Sequence, residues 1–547
     1  MKKLLVLMLI ALVLPAAVVL AAGQEEEQAA TTEVAVNPPG EFPIVDDPIT
    51  VDALIVPHSL VEDLRTNEFT LWLEEKTNIQ LDMDIVPDSS EAQTRMTLLF
   101  ASGDYPSVLI DVNPAPSQQA LYGNQGIFVP LQDYIDEWMP NVQKMFRDYP
   151  SIRPTITMPD GNIYGLPAVN DCYHCSMAQK AWVYADFLEA LDIDMPTTTD
   201  EFKEMLIAFR DEDPNGNGEN DEIPYAGATT GWHTNLEGYL MSAFIYSNAG
   251  RQERLYVDEN GTVQASFAQP EWRDGLRWIN ELYNEGLIAP ETFTQDRNQL
   301  RRLGGNVTVI LAASAGGFPL QFLPSDDRLY DYVAIPPLEG PDGFRSAYYD
   351  PDPIARDGNA IMTDKSTNRE AIARWFDHFY EIETVLRSTH GREGQEWRWA
   401  EAGEMGINQE QAIWHKLYEG YGDVQNIAWA EGGPKYRSSE FRLGQTASQN
   451  PMEVFLFEET RDKYREFAPD LGRIFPKVVY TEEQSNEIAD LETALVRTVE
   501  TMFARFVIGD ASVETDWDSY IAQLENIGLE RYLEIQQAAY DASAFAD

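Results

Sequence analysis

Residues 49–112 read ITVDALIVPHSLVEDLRTNEFTLWLEEKTNIQLDMDIVPDSSEAQTRMTLLFASGDYPSVLIDV. Ile49–His58 alternates and then runs apolar, as a strand does when it enters a buried sheet. Glu68–Thr77 reads as a helix, Ile79–Pro87 as a second strand, Glu91–Ser102 as a second helix and Pro106–Val112 as a third, short strand. Strand, helix, strand, helix, strand is the order of a parallel α/β sheet. Ligands of such sheets sit beyond the carboxyl ends of the strands. His58 and Asp111 occupy those ends, so each is a candidate ligand contact, with a satisfied loop polar group as the plainer reading.

Working outward, the chain has 547 residues, more than one hydrophobic core usually serves, and two or more lobes are expected. With 44% hydrophobic residues it can bury them. Asp and Glu number 91 against 39 Lys and Arg, a formal net charge of −52. That field repels phosphate backbones and anionic lipid surfaces, so nucleic acid is not expected as a partner.

The first residues, MKKLLVLMLIALVLPAAVVLAA, join two lysines, an apolar run, Pro15 and small residues. They are expected to form a signal peptide (residues 1–22), cut after Ala21 or Ala22, with an uncleaved N-terminal anchor as the alternative. No cysteine lies near the cut, so no lipid anchor is expected. Residues 23–47 are rich in Glu, Gln, Ala and Pro and poor in large apolar groups, and read as a flexible acidic leader. Further on, Asn162–Val169, Asn306–Ser314 and the start of Tyr332–Gly343 read as strands, and Asn368–Thr384 and Glu482–Phe506 as helices.

The segment Asp213–Pro224, DPNGNGENDEIP, follows a well-marked helix: Thr198 and Glu201 form a capping box, and Phe202, Met205, Leu206 and Phe209 share a face. Calcium takes six to eight oxygens, which the EF-hand loop supplies from positions 1, 3, 5, 7 and 9 around a glycine at 6. Counting from Asp213 places Asn215, Asn217, Gly218, Glu219 and Asp221 at positions 3, 5, 6, 7 and 9. Position 12 is Pro224 rather than a bidentate Glu, so Glu222 is the available closing ligand. No second amphipathic helix follows, which favours a structural Ca2+ over a signalling one. An Asx-rich turn without metal is the alternative.

Both cysteines lie in DCYHC, Asp171–Cys175. A structural zinc site needs four ligands and no second pair is near, so Cys172 and Cys175 are read as a disulfide candidate. No Ser elbow, metalloprotease His pair or Gly-rich phosphate loop is present. Their absence leaves an enzyme unsupported without excluding it. Trp232, Tyr348, Tyr349, Trp397, Trp399, Trp429 and Tyr436 lie in Gly-, Pro- and polar-rich stretches, where flat rings beside polar groups suit a sugar; partial core is the plainer reading of each. Trp375, Phe376 and Phe379 sit within a helix and read as core.

Three stretches carry a resemblance: DGNIYGLP at Asp160–Pro167, the run from Ala185 to Pro224 that joins helix, cap and loop, and Val513–Asp541 near the C-terminus. In these the chain resembles the extracellular solute-binding proteins of ABC importers, family 1, in the long branch that includes oligosaccharide binders and lipoproteins. The resemblance implies a two-lobe α/β fold with a central cleft, several hinge crossovers and closure on ligand, and a protein that is not an enzyme. It implies a calcium site from Asp213, Asn215, Asn217, Asp221, Glu222 and the backbone carbonyl of Glu219. The expected division is residues 48–165 and 305–355 in the first lobe, and 166–304 and 356–547 in the second. The expected function is capture of a sugar or oligosaccharide, delivered to ABC permease subunits by a monomeric periplasmic or extracellular protein. The alternatives are an exported calcium-dependent carbohydrate-active enzyme, or the same fold with a peptide, polyol or anionic cargo.

Overall fold

The computed structural model describes residues 34–247, 253–418, 423–543 and 545. The signal peptide and the leader up to residue 33 lie outside them.

Strands β1 (Ile49–Ile55), β2 (Ile79–Ile85) and β3 (Val108–Ile110) form as the opening stretch predicts. β1 runs parallel to both neighbours, with Ile49 opposite Ile79 and Ala53 opposite Val108. Thr50 and Asp52 face solvent, whereas Ala53, Leu54 and Ile55 are all buried, so β1 leaves an alternating edge and enters a sheet covered on both faces. The helix Glu68–Thr77 starts where the Asn67 side chain accepts the Phe69 N–H and stops at left-handed Asn78, φ 58°. The next begins at Ser89, two residues before the sequence pattern suggested, because Asp88 accepts the Glu91 N–H.

Three later strands complete this sheet: β4 (Gly165–Asn170), β11 (Ile354–Met362) and β14 (Lys435–Arg437). The spatial order is β2-β1-β3-β11-β4-β14, with β11 antiparallel to both neighbours. A second sheet, β6-β9-β5-β10, unites β5 (Ala181–Tyr184), β6 (Ile223–Ala226), β9 (Leu311–Ala315) and β10 (Tyr332–Ile335). Two hairpins, β7 (Leu255–Val257) with β8 (Val263–Ala265) and β12 (Trp397–Trp399) with β13 (Trp414–Lys416), complete the strands named here.

Each sheet has its own core. Phe69, Trp375, Phe376 and Phe379 pack beneath the first, and Trp182, Phe202, Phe209 and Tyr225 beneath the second. The face of Thr199–Asp211 buries Phe202, Met205, Leu206 and Phe209, and the Thr198–Glu201 capping box closes its start. Truncating a buried aromatic such as Phe202 would cost about 3–5 kcal/mol. The C-terminal helices Glu482–Ile508, Trp517–Ile527 and Leu529–Asp541 join this second core.

The structure corrects the expected lobe division. Residues 305–355 carry β9 and β10 and belong to the second sheet, while 356–437 return to the first through β11 and β14. β4 also stays with the first sheet, so the chain changes lobe after Asn170. Strand pairing is non-local, and short apolar strands carry no mark of the sheet they will join. The chain therefore crosses between lobes after β4, between β10 and β11, and after β14. The leader is corrected too: Ile44 and Val45 are fully buried in the first core, and Arg374 donates to the Asn37 and Glu41 carbonyls. The helix read at Asn368–Thr384 is two helices, Arg369–His378 and Ile382–His390.

Candidate functional site

The carboxyl ends of β1 and β4, the start of β11 and the strand β14 open onto one cavity of about 640 Å³. Its first-lobe wall includes His58, Asn170, Arg356, Glu431, Arg437, His390, Trp414 and Phe441. The second lobe contributes Met452 and Glu453, from the first turn of the helix Pro451–Lys463. A smaller cavity of about 260 Å³ lies where Ser117 faces Phe475, Lys477 and Tyr480. Its cation, Lys477, is already paired with Asp357, and among the described residues it lacks the convergent polar groups of the larger one.

β14 explains much of the wall. Tyr436 turns toward the first core, its hydroxyl donating to Asp148 at 2.7 Å, so Lys435 and Arg437 face the other way. Arg437 Nη1 donates to both oxygens of Glu431, at 2.6 and 2.8 Å. Burial alone would raise the Glu431 carboxyl, but Arg437, Lys435 and His390 hold it down at about 2. Arg356 Nη2 donates to the Glu431 carbonyl at 2.6 Å, and Arg442 bridges Asn170 at 2.9 Å and Glu453 at 3.4 Å. The Trp414 ring lies between Phe441, centroids 5.5 Å apart at 23°, and His390, 4.7 Å apart at 31°. The site thus joins a packed aromatic wall to charge-paired hydrogen-bonding groups and, among the described residues, offers no nucleophile with an adjacent general base.

The expected ligand residues divide. His58 lines the cavity. Asp111 sits behind it, accepting from Asn359 Nδ2 at 2.5 Å and from the Gly433 N–H, with Arg356 Nε 3.3 Å away. It positions the 431–433 turn rather than facing the cavity. Trp232 and Tyr348 gather around His233 on the second lobe, at 5.0 and 5.6 Å, and Trp232 reaches the cavity only through His174, 6.2 Å away. Tyr349 is half-buried beneath Arg465. Trp397, Trp429 and Tyr436 are corrected to core: Trp397 is fully buried, Trp429 packs on Phe69 and Phe379, and Tyr436 is held by Asp148. Trp399 is 40% exposed on the β12–β13 hairpin.

The aromatic pattern missed Glu431, Arg437, Arg442 and Glu453. The usable signal was the alternation in Lys435–Arg437: if Tyr436 faces a core, its neighbours face away from it.

His174 is buried and lies 3.4 Å from Glu453 Oε2, so it ties the DCYHC turn to the cavity. Cys172 and Cys175 are joined in a disulfide. The ligating atoms of Cys172, His174 and Cys175 fall within 4.8 Å of one another, but sulfurs joined to each other offer no thiolates for a metal.

In the loop after Thr199–Asp211, Gly216 and Gly218 take φ of 68° and 81°, the left-handed bends a cation loop needs. Asp213 accepts the N–H groups of Asn217 and Gly218, and Asp221 Oδ1 accepts from the amides of Asn215 and Asn217. Glu222 Oε2 is buried without a hydrogen-bond donor. Burial first, and then the charges of Asp221 and Asp213, raise the Glu222 carboxyl above its usual range. An orphaned, buried oxygen among like charges fits a cation, with Asp213, Asn215, Asn217, Asp221, Glu222 and the Glu219 carbonyl as the oxygen donors.

Two buried histidines, His390 in the cavity wall and His233 in the second lobe, set a pH dependence. Burial, then the charge of Arg437, lowers His390 to about 3; burial, then Lys180, lowers His233 to about 4. Between those values and about 6.5 the unfolded chain binds protons that the folded chain cannot, so their stabilisation is complete above pH 6.5 and falls as pH drops. The acids Asp377 and Glu492, raised by burial to about 7, act oppositely, favouring the fold at low pH. A comparison of variants therefore isolates the histidines. His390→Gln is expected to lose about 2 kcal/mol less than wild type between pH 7 and pH 5 in urea melts; parallel curves would refute it.

A family model described as bacterial extracellular solute-binding protein matches residues 59–381. The fructooligosaccharide ABC transporter substrate-binding protein FusA of Streptococcus pneumoniae is 25% identical over 86% of each chain. Among solved structures, an HMO binding, ABC-transporter associated solute-binding protein from Bifidobacterium longum infantis superposes with a TM-score of 0.75. It is 20% identical, covering 91% of this chain and 99% of that one. A FusA EF-hand mutant in complex with fructo-nystose superposes with a TM-score of 0.69, at 23% identity over 90% and 99%.

Proposed function

From the membership of this chain in the bacterial extracellular solute-binding protein family, we propose that it captures an oligosaccharide between its two lobes and presents it to an ABC importer. The observation that carries this reading is the cavity walled by both lobes, with Trp414 and Arg437 on one side and Met452 and Glu453 on the other. Neither lobe holds a ligand alone, so binding favours the closed arrangement by whatever affinity it adds there. The charge-paired groups of the wall take the sugar's hydroxyls, and the apolar side chains beside them take its C–H groups. FusA, named for fructooligosaccharide transport, supports the cargo class.

No bond is made or broken in this role. His58 and His390 bind and orient, Asp111 and Asn170 position their neighbours, and the Asp213–Glu222 loop braces one lobe. Bound Ca2+ would supply the positive charge on which its carboxylates converge, a reading supported by the EF-hand of the FusA neighbour. The residues before the fold act as an export signal and leader, the protein works outside the cytoplasmic membrane, and its partners are the importer's permease subunits within that membrane.

The test is to titrate neutral and acidic oligosaccharides while following melting temperature and products. Binding should stabilise by about 2.7 kcal/mol at 100 times Kd, with the sugar recovered intact. Appearance of shortened sugars would overturn the reading in favour of a carbohydrate-active enzyme.

A further inference from the structure

The turn Asp171–Cys175 lies where the chain leaves β4 for the second lobe, beside the cavity rather than in its wall. Its shape is held without help from the sulfurs. The Cys172 carbonyl accepts the N–H groups of Cys175 and Ser176, both at 3.1 Å, and Ser176 Oγ donates to the Tyr173 carbonyl at 2.8 Å. Asp171 donates its N–H to the Arg437 carbonyl and accepts from the Tyr149 hydroxyl at 2.6 Å, while Lys180 Nζ donates to the His174 carbonyl at 3.2 Å. Opening the Cys172–Cys175 disulfide therefore leaves two thiols fixed side by side on one turn.

The third group is His174. It is buried, its Nε2 lies 3.4 Å from Glu453 Oε2, and Glu453 Oε1 is held in turn by Arg442 at 3.4 Å. A carboxylate on one ring nitrogen leaves the other, Nδ1, with its lone pair free, which is how proteins orient a metal-binding imidazole. Nδ1 and Nε2 stand 3.9 and 3.8 Å from Cys175 Sγ, and the ligating atoms of Cys172, His174 and Cys175 fall within 4.8 Å of one another. Two ligands of one tetrahedral zinc stand about 3.5–3.8 Å apart, given Zn–S of about 2.3 Å and Zn–N of about 2.0 Å. The three groups are nearly at ligand spacing, and the bond between the sulfurs is what withholds them. Cys175 is half-buried whereas Cys172 is buried, so a reductant and then a metal reach the turn from the Cys175 side.

We propose that this turn is a redox-gated zinc site, closed while Cys172 and Cys175 are joined and holding Zn2+ through both thiolates and His174 Nδ1 once they are reduced. The reductant is a dithiol. One of its thiolates attacks Cys175 Sγ, the bond to Cys172 breaks and Cys172 leaves as thiolate; the second thiol then attacks the mixed disulfide, releasing Cys175 and closing the reductant's own disulfide. Two electrons pass from the dithiol to the cysteines, its two protons go to solvent, and Zn2+ binds the pair as thiolates. Thiolates select zinc over calcium, so the turn and the Asp213–Glu222 loop do not compete for one ion. Glu453 is the positioning residue, and because it also walls the cavity, the metal state reaches the cleft through it. The proposal does not depend on the oligosaccharide reading.

The test uses the whole chain, with calcium present to fill the oxygen-rich loop and Co2+ as a coloured stand-in for zinc. After anaerobic reduction with a phosphine, Co2+ should bind with the near-ultraviolet thiolate charge-transfer band and the visible bands of tetrahedral cobalt, and Zn2+ should bleach both. The oxidised protein should show neither, since Co2+ on oxygen ligands gives no thiolate band. His174→Ala should weaken Co2+ binding by roughly 100-fold, and Glu453→Gln by about 10- to 100-fold with the charge-transfer band kept. Reduced wild type without these bands, or a disulfide that the phosphine cannot open in the folded protein, would overturn the proposal. Undiminished Co2+ affinity in His174→Ala would overturn the assignment of the imidazole as a ligand. The comparison of oxidised with reduced wild type decides the matter even if the variants fold poorly.

Discussion

Glu237→Ala is expected to lower the unfolding free energy by about 3–5 kcal/mol. Glu237 and Arg254 face each other in the second core through two bonds, Nε to Oε1 at 2.5 Å and Nη2 to Oε2 at 2.9 Å. Both side chains are 6% exposed. Truncation removes the carboxylate that meets the buried guanidinium through two bonds, and the share of its desolvation cost offset by that pair is no longer met. Because the turn carrying Trp232 and His233 runs directly into Glu237, the same change should loosen the second-lobe side of the cleft. The control is the double variant Glu237→Leu with Arg254→Met, which removes both charges and should regain most of the loss. Urea unfolding of the three proteins settles it, and a single-variant cost below about 1 kcal/mol would contradict the burial of the pair.

Calcium should also stabilise the fold. At a hundredfold excess over its Kd it is expected to add about 2.7 kcal/mol to stability, and chelation should remove that increment. Glu222→Gln should abolish the calcium response, because the buried Oε2 is the oxygen that only a cation would satisfy. Oligosaccharide selectivity should be unchanged, since the loop lies between Thr199–Asp211 and β6, apart from the residues lining the cavity. The readout is the melting temperature of wild type and variant with calcium and with chelator. A calcium increment retained by Glu222→Gln would remove that residue from the ligand set.

Much of this was legible from the residues. The alternation of Ile49–Ile55 and the Thr198–Glu201 box are local signals, and local signals survive folding; the Asp88 cap is as local but went unread, so the second helix starts earlier than expected. The spacing from Asp213 to Glu222 is local too, and the chain folds there into the tight, glycine-bent loop that the spacing describes. What sequence could not carry was pairing at a distance. Leu311–Ala315 and the buried end of β11, Ala360–Met362, are similar short apolar runs, yet one joins each sheet. The aromatics failed for a related reason: Trp429 lies in a polar, glycine-rich stretch but packs on Phe69 and Phe379, residues supplied by two remote parts of the chain. Arg437 escaped notice because its place in the cavity wall comes from its pairing with Glu431, a relation that no spacing rule describes.

The three passages of the chain between lobes also bear on how the protein is made. The first sheet begins with Ile49 and is closed by Arg437, and the second sheet and most of its helices are inserted between them. A ribosome delivering the chain from its N-terminus therefore cannot finish the first lobe before most of the second has emerged. β3 must wait for β11, and β4 for β14, with their inner edges unpaired meanwhile. Contacts that span so much sequence fold slowly and leave apolar strands open to misassembly. The architecture that closes a cleft from two sides thus also rules out folding one lobe at a time, and places a demand on whatever shelters the nascent chain until its last third arrives.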